Sequence, residues 1–243
     1  MEKNITFAPV GDQGIVINFG NEIAEEINRR IRGLMDSLNN AKIKGVMEVI
    51  PSYTSLLVLY DRHSISYRKL EKKLKVILAA KNEETAVKRI IHYIPVCYED
   101  RFALDLAYVA RITGLSEKEV VDIHTGTDYL IYMLGFMPGF AYLGGMDERI
   151  ACPRLATPRT RIPAGGVGIG GKQTGIYPLE SPGGWRILGQ TPLRVYDPER
   201  EPAILYEMGE YIRFVPITSE EYDRITEEIR EGTFSHKVEE VSL

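Results

Sequence analysis

The chain has only two cysteines in 243 residues, Cys97 and Cys152, with no Cys-x-x-Cys pair and no Cys/His cluster. Neither a disulfide framework nor a structural zinc site is expected, no metal site is assigned, and a reducing compartment fits this usage. No stretch approaches the ~20 apolar residues that a membrane span requires, and Met1 to Gln13 lacks a basic segment leading into a long apolar run. A soluble cytoplasmic protein with no membrane partner is the expectation. Positive charge is not in excess either, because 30 Lys and Arg face 34 Asp and Glu for a formal net charge of -4. Nucleic acid needs a basic footprint, so it is not expected as a partner. What is present, 44% hydrophobic and 26% charged residues, is an ordinary globular composition with room for one large domain or two small ones.

The first half alternates two periodicities. After a β-rich start, Ile5 to Phe19, Asn21 reads as an N-cap for a helix whose Ile23, Ile27, Ile31, Leu34, Met35 and Leu38 share one face. Val46 to Ile50 and Tyr53 to Tyr60, rich in Val, Ile, Leu and Tyr and split by Pro51-Ser52, read as a hairpin. Ser66 opens a second helix with Tyr67, Leu70, Leu74, Ile77 and Leu78 on one face and Lys and Arg on the other. This order, followed by the apolar run Arg89 to Val96, predicts an α+β protein. Its first part would be a small two-layer α/β sandwich of ferredoxin-like order, with the last strand closing that sheet or opening the next domain. The charged stretch Lys81 to Lys88 marks the boundary, giving domains 1–87 and 88–243.

Beyond it, Leu104 to Ile112 reads as a helix stopped by Gly114, and Ser116-x-x-Glu119 is a capping box for a second. Gly135 to Thr191 then holds 13 of the 22 glycines and 6 of the 13 prolines, which excludes long helices. Short segments at Val167 to Ile169, Trp185 to Leu188, Leu193 to Tyr196, Ala203 to Tyr206 and Tyr211 to Val215 predict a small barrel or sandwich. A last helix opens on the capping box Thr218-x-x-Glu221 and stops at Gly232, leaving Thr233 to Leu243 as a mobile tail.

Gly166-x-Gly168-x-x-Gly171-Lys172 satisfies a dinucleotide-binding pattern and nearly a phosphate-binding loop. Both devices need a helix start behind the glycines, whereas Gly175 and Pro178 follow within a few residues, so barrel turns and bulges are the preferred reading. From Ala151 to Arg194, five arginines (Arg154, Arg159, Arg161, Arg186, Arg194) and Lys172 face the single acid Glu180. Either they line an electropositive cleft for a small anion, or they form a basic surface that pairs with the acidic segment 199–243. Trp185, the sole tryptophan, beside Gly183 and Gly184, lines a pocket or interface, or else fills the core. His124, at a helix end, is the best candidate for proton transfer, with a structural role as the alternative. No self-sufficient hydrolase constellation is visible.

Several long motifs occur in order: Gly135-Phe-Met-Pro-Gly-Phe-Ala-Tyr-Leu143, Pro153-Arg154, Pro158-Arg159, Ile162 to Ile169, Gln173-Thr-Gly-Ile-Tyr-Pro178 and Ser181-Pro-Gly-Gly-Trp185. With Pro9-Val-Gly-Asp12 and Pro51-Ser-Tyr-Thr54, they give the chain an end-to-end resemblance to the family of the 5-oxoprolinase B subunit, also named kinase A inhibitor or allophanate hydrolase subunit 1. The resemblance implies a small α/β domain followed by a cyclophilin-like β-barrel. It implies an ATP-dependent opening of 5-oxo-L-proline to L-glutamate together with subunits A and C, the chain being inactive alone, with ATP bound by the assembled complex. Related sequences form part of the carboxyltransferase region of urea carboxylases, but this chain has no biotin carrier of its own. Other members are inhibitors of a sporulation-type sensor histidine kinase, which makes a kinase the alternative partner.

On these motifs His124 and Arg159 are the expected catalytic residues. Arg154 would join Arg159 in holding a carboxylate or phosphate, and Gln173, Thr174 and Tyr177 would bind the lactam or nucleotide. Phe136, Pro138, Gly139, Phe140, Gly165, Gly166, Pro182, Gly183, Gly184 and Trp185 would wall the pocket or face a partner chain.

Overall fold

The computed structural model describes residues 5–80 and 88–242. The chain divides into two compact units, residues 1–87 and 88–243. Most of the charged stretch chosen as the boundary, residues 81–87, lies outside the described residues.

The first unit runs β1 (Thr6–Val10), β2 (Gly14–Asn18), α1 (Glu25–Ala41), β3 (Val46–Pro51), β4 (Ser55–Tyr60) and α2 (Tyr67–Ala79). Its four strands pair antiparallel in the order β1-β2-β4-β3. Alternation buries Ile15 and Ile17 of β2 with Leu56, Val58 and Tyr60 of β4. The helices pack on each other and bury Ile31, Leu34, Leu38, Leu70 and Leu74. Two sequence expectations change. The helix starts at Glu25 with Ala24 at its cap, so Asn21 lies outside it and Ile23 is exposed. A ferredoxin-like order requires one strand before α1 and a closing strand after α2. Here a hairpin precedes α1, turning at Gly11 with φ +57°, and the next strand joins the other sheet.

That strand, β5 (Lys88–Cys97), opens the second unit, followed by α3 (Leu106–Thr113), α4 (Glu117–Thr125), β6 (Tyr129–Leu134) and β7 (Ala141–Gly144). Then come β8 (Arg159–Ile162), β9 (Gly166–Gly170), β10 (Gln173–Ile176), β11 (Ser181–Gly183), β12 (Arg186–Gln190), β13 (Tyr211–Ile217), α5 (Ser219–Glu231) and β14 (Val238–Ser242). Eight strands form one sheet in the order β10-β9-β12-β5-β13-β6-β7, with β14 beside β5; β8 and β11 make a separate pair. A Cβ placed on Gly175 of β10 would lie 3.2 Å from the Ala141 carbonyl oxygen of β7, so the end strands meet and the sheet is a nearly closed barrel. Inside it sit Ile94, Val96, Ile131, Leu143, Val167, Ile169, Ile176, Leu188 and Phe214, with Leu106 and Val109 of α3 and Val120 of α4 packed against them.

Both predicted capping boxes are present, Ser116 with Glu119 on α4 and Thr218 with Glu221 on α5. Glycine in the left-handed region ends α3 and α5, at Gly114 and Gly232. The expected mobile tail is instead β14, antiparallel to β5 from Val238 opposite His92 to Ser242 opposite Lys88. The segments at Leu193 to Tyr196 and Ala203 to Tyr206 form one isolated bridge, Tyr196 with Ile204, rather than strands. No helix among the described residues is long and apolar enough to cross a membrane.

Candidate functional site

The loop between β6 and β7 holds Phe136 at φ +65°, in the left-handed region that aromatic residues rarely enter. Three backbone hydrogen bonds enforce it: Gly135 N–H to Phe140 O, Met137 N–H to Gly135 O, and Phe140 N–H to Met137 O. The Tyr206 hydroxyl donates to the Gly139 carbonyl at 2.8 Å, and Gly139 itself has φ +78° with the Tyr196 side chain against it. As a result Phe136 stands 77% exposed while Phe140 turns inward. Strain of this kind persists only where surrounding contacts over-determine it, and it concentrates at functional loops.

Phe140 joins Ile162, Tyr177, Trp185 and Ile187 in a second apolar cluster, apart from the barrel core. Its ring meets Trp185 and Tyr177 edge to face at 5.6 and 5.9 Å, and Phe136 leans on it at 5.9 Å. The Gly-rich stretch provides the seat for the indole. A Cβ on Gly170 would lie 2.5 Å from Trp185, and one on Gly175 would lie 3.2 Å from it. Gly166 to Ile176 is a hairpin, β9 against β10, turning at Gly171 (φ +66°) and Lys172. The likeness to a nucleotide-binding motif is therefore produced by tight barrel packing, in agreement with the preference for turns and bulges.

The arginines do not converge on one cleft. Lys172 pairs with Glu148 at 2.6 Å, Arg161 with Glu180 at 2.7 Å, and Arg194 approaches Asp197 at 3.9 Å, all at exposed sites where such pairs contribute little. Arg159 and Arg186 meet instead on Asp105, a residue absent from the sequence-based site. Arg159 donates through both terminal nitrogens at 2.8 and 2.9 Å, and Arg186 reaches Asp105 at 3.5 Å while stacking on Tyr108 at 3.7 Å. The backbone N–H of Ile187 adds a third donor group at 2.8 Å. Burial works to raise the Asp105 carboxyl, but Arg159, the Ile187 amide and Arg186 outweigh it, and its pKa sits below the usual value. Nothing local marks this hub, because its partners lie 54 and 81 residues away. An Asp at a helix start reads as an ordinary cap.

Arg154 is exposed, lies 5.8 Å over the Trp185 ring, and has no carboxylate partner among the described residues. Arg154 and Arg159 both lie near enough to Tyr177 to act on its hydroxyl, although burial dominates and raises that pKa. Gly183 lies opposite Arg159 across β8 and β11, and a Cβ there would sit 2.4 Å from the Tyr177 hydroxyl. Gly184 accepts a hydrogen bond from Leu155 N–H at 2.7 Å, and Gly165 and Gly166 bracket the Tyr177 backbone. Arg154, Arg159, Tyr177, Gly183, Gly184, Trp185 and Phe140 thus form one constellation. Pro138 and Pro182 are exposed, and Gln173 opens β10 half-buried.

Two expected site residues belong to the core. His124 is fully buried, with Nδ1 2.8 Å from the Tyr98 hydroxyl and Nε2 2.8 Å from Thr174 Oγ1, and Phe214 stacks on its ring. Thr174 donates to the Gly168 carbonyl at 3.1 Å, so its oxygen accepts from Nε2–H and Nδ1 accepts from Tyr98. Burial pushes the His124 pKa down to about 3. A neutral, doubly bonded imidazole sealed in the barrel has no route to a substrate proton, and Thr174 has no hydroxyl to spare for a ligand.

The barrel and the aromatic cluster around Trp185 are built almost wholly by residues that one family model covers. Residues 5–206 match the carboxyltransferase domain, subdomain C and D, and the chain belongs to that family. The particular relatives are more specific. The chain is 42% identical to the B subunit of 5-oxoprolinase from Bacillus subtilis (strain 168), over 90% of this chain and 95% of that one. It is 38% identical to the B subunit of 5-oxoprolinase from Escherichia coli O157:H7, over 85% and 94%. Among solved structures, the K. lactis urea amidolyase superposes with a TM-score of 0.80 at 25% identity, covering 98% of this chain and 16% of that one.

Proposed function

We propose that this chain is the B subunit of an ATP-dependent 5-oxoprolinase, opening 5-oxo-L-proline to L-glutamate together with subunits A and C. The observation that carries the reading is end-to-end identity: three proteins named as B subunits of 5-oxoprolinase match over 94 to 97% of their own length, whereas the urea amidolyases match over 15% of theirs. The substrate is a flat five-membered lactam bearing one carboxylate. In this reading its ring rests against the Trp185, Tyr177 and Phe140 cluster, and its carboxylate meets Arg154 and the free edge of Arg159.

The constellation holds no base of its own, since Asp105 is held by two arginines and His124 is sealed in the core. The general base and the rest of the pocket are therefore assigned to a partner chain, which docks on the Phe136 loop. Hairpin β9–β10 presents no helix start that would cradle phosphates. ATP is accordingly assigned to the assembled complex, where it would activate the lactam oxygen.

The test is phosphate release and glutamate formation from ATP and 5-oxo-L-proline, with this chain alone, with the C subunit added, and with subunits A and C together. Coupled turnover only in the full mixture upholds the proposal. The likeness to urea amidolyases supports a second reading as a carboxyltransferase part, and urea-dependent turnover with a biotin-carrying partner would favour it. A silent mixture together with slowed autophosphorylation of a sensor histidine kinase would make the chain a regulator.

A further inference from the structure

We infer that Asp105 is a positioning residue that holds Arg159 as the carboxylate-binding arm of a subsite over Trp185. The inference rests on the 5-oxoprolinase reading and names the part of the substrate that this site takes.

Asp105 stands at the N-cap of α3, yet its side chain makes no bond to that helix. Both oxygens turn away to the strands: Oδ1 takes Arg159 and Arg186, and Oδ2 takes Arg159 and the Ile187 N–H. Its own N–H donates to the Ile187 carbonyl at 2.8 Å, so one residue clamps β12 reciprocally. A residue this buried does not swing, and it fixes whatever it holds. One carboxylate facing two guanidinium groups leaves one positive charge in excess. Arg186 is buried to 13% exposure and covered by Tyr108, with its Nε on the Pro153 carbonyl. Arg159 is 29% exposed, and three of its five N–H groups are outside the pair with Asp105. The excess charge is therefore presented at Arg159, and Arg154, which lies over the Trp185 ring with no carboxylate partner among the described residues, acts with it on the Tyr177 hydroxyl. A planar fork clamped at one end and open at the other is suited to a carboxylate.

The experiment uses the complex with subunits A and C, comparing wild type, Asp105→Asn and Arg159→Lys. The ligands are 5-oxo-L-proline and, as a competitive inhibitor, 2-pyrrolidinone, the same lactam without the carboxylate. Asp105→Asn is expected to raise KM for 5-oxo-L-proline about tenfold, the scale of one charge-assisted contact. kcat and the inhibition constant of 2-pyrrolidinone should stay within about twofold of wild type, a change too small to represent a lost contact. Arg159→Lys should reproduce this split, and the double variant should add little to either. Equal weakening of both ligands, or a fall in kcat at constant KM, would overturn the inference and leave Asp105 a structural ion pair. Should Asp105→Asn fail to fold, Arg159→Lys decides by the same criterion. An inactive wild-type complex overturns the 5-oxoprolinase reading itself, and this inference with it.

Discussion

A Cβ on Gly170 would meet two indole atoms of Trp185 at 2.5 Å, closer than carbon atoms pack. Gly170→Ala should therefore cost about 1–3 kcal/mol through overpacking, read as a lower urea midpoint at unchanged slope, and should disturb the site because the ring must move. An unchanged midpoint would mean that the indole is not seated there. His124 makes the opposite argument, since its chemistry is fully occupied inside the fold. His124→Ala strands the buried Tyr98 hydroxyl, and a loss of about 2–3 kcal/mol of stability is expected from the unmet partner together with the cavity. Activity lost at unaltered stability would restore the proton-transfer role.

At the scale of elements, β14 depends on a pair of histidines. His236, just before the strand, stacks on His92 of β5 at 5.2 Å, and His92 Nε2 lies 2.7 Å from Glu210. Burial first, then the neighbouring His92 and Arg200, hold the His236 pKa down to about 4, from an ordinary 6.5. Between those values the undocked segment takes up a proton that the docked one refuses. Docking is therefore complete above the ordinary value and weakens as pH falls towards the lower one. Amide exchange at Val238 to Val241, corrected for intrinsic rates, should show protection falling over this window while β13 stays protected. His236→Phe should flatten the dependence, and a pH-independent wild type would refute the linkage.

For the molecule as a whole, the question is what covers Phe136. A ring held 77% exposed by a strained loop adds little to folding, so Phe136→Ser should leave unfolding within about 0.5 kcal/mol of wild type. If the loop is a docking anchor, the same change should weaken binding to the C subunit by about 2 kcal/mol or more, roughly thirtyfold by calorimetry. Undiminished binding would place the partner elsewhere. Phe140→Ser, one turn of the loop away and buried, should instead unfold the cluster around Trp185.

The features legible in the sequence are those whose signal lies within a turn or two of chain. Ser116 with Glu119, Thr218 with Glu221, the stops at Gly114 and Gly232, and the β3–β4 hairpin each need only neighbours within fourteen residues. The long motifs likewise carried the family, and with it the residues that gather around Trp185. Tertiary structure alone decided which charges are spent and which side chains are sealed. Asp105 finds Arg159 from 54 residues away, β14 finds β5 from about 150, and His124 is closed in by β10 and β13. Burial and ion pairing are set by the return of distant chain, and a periodicity read along the sequence contains no term for that return.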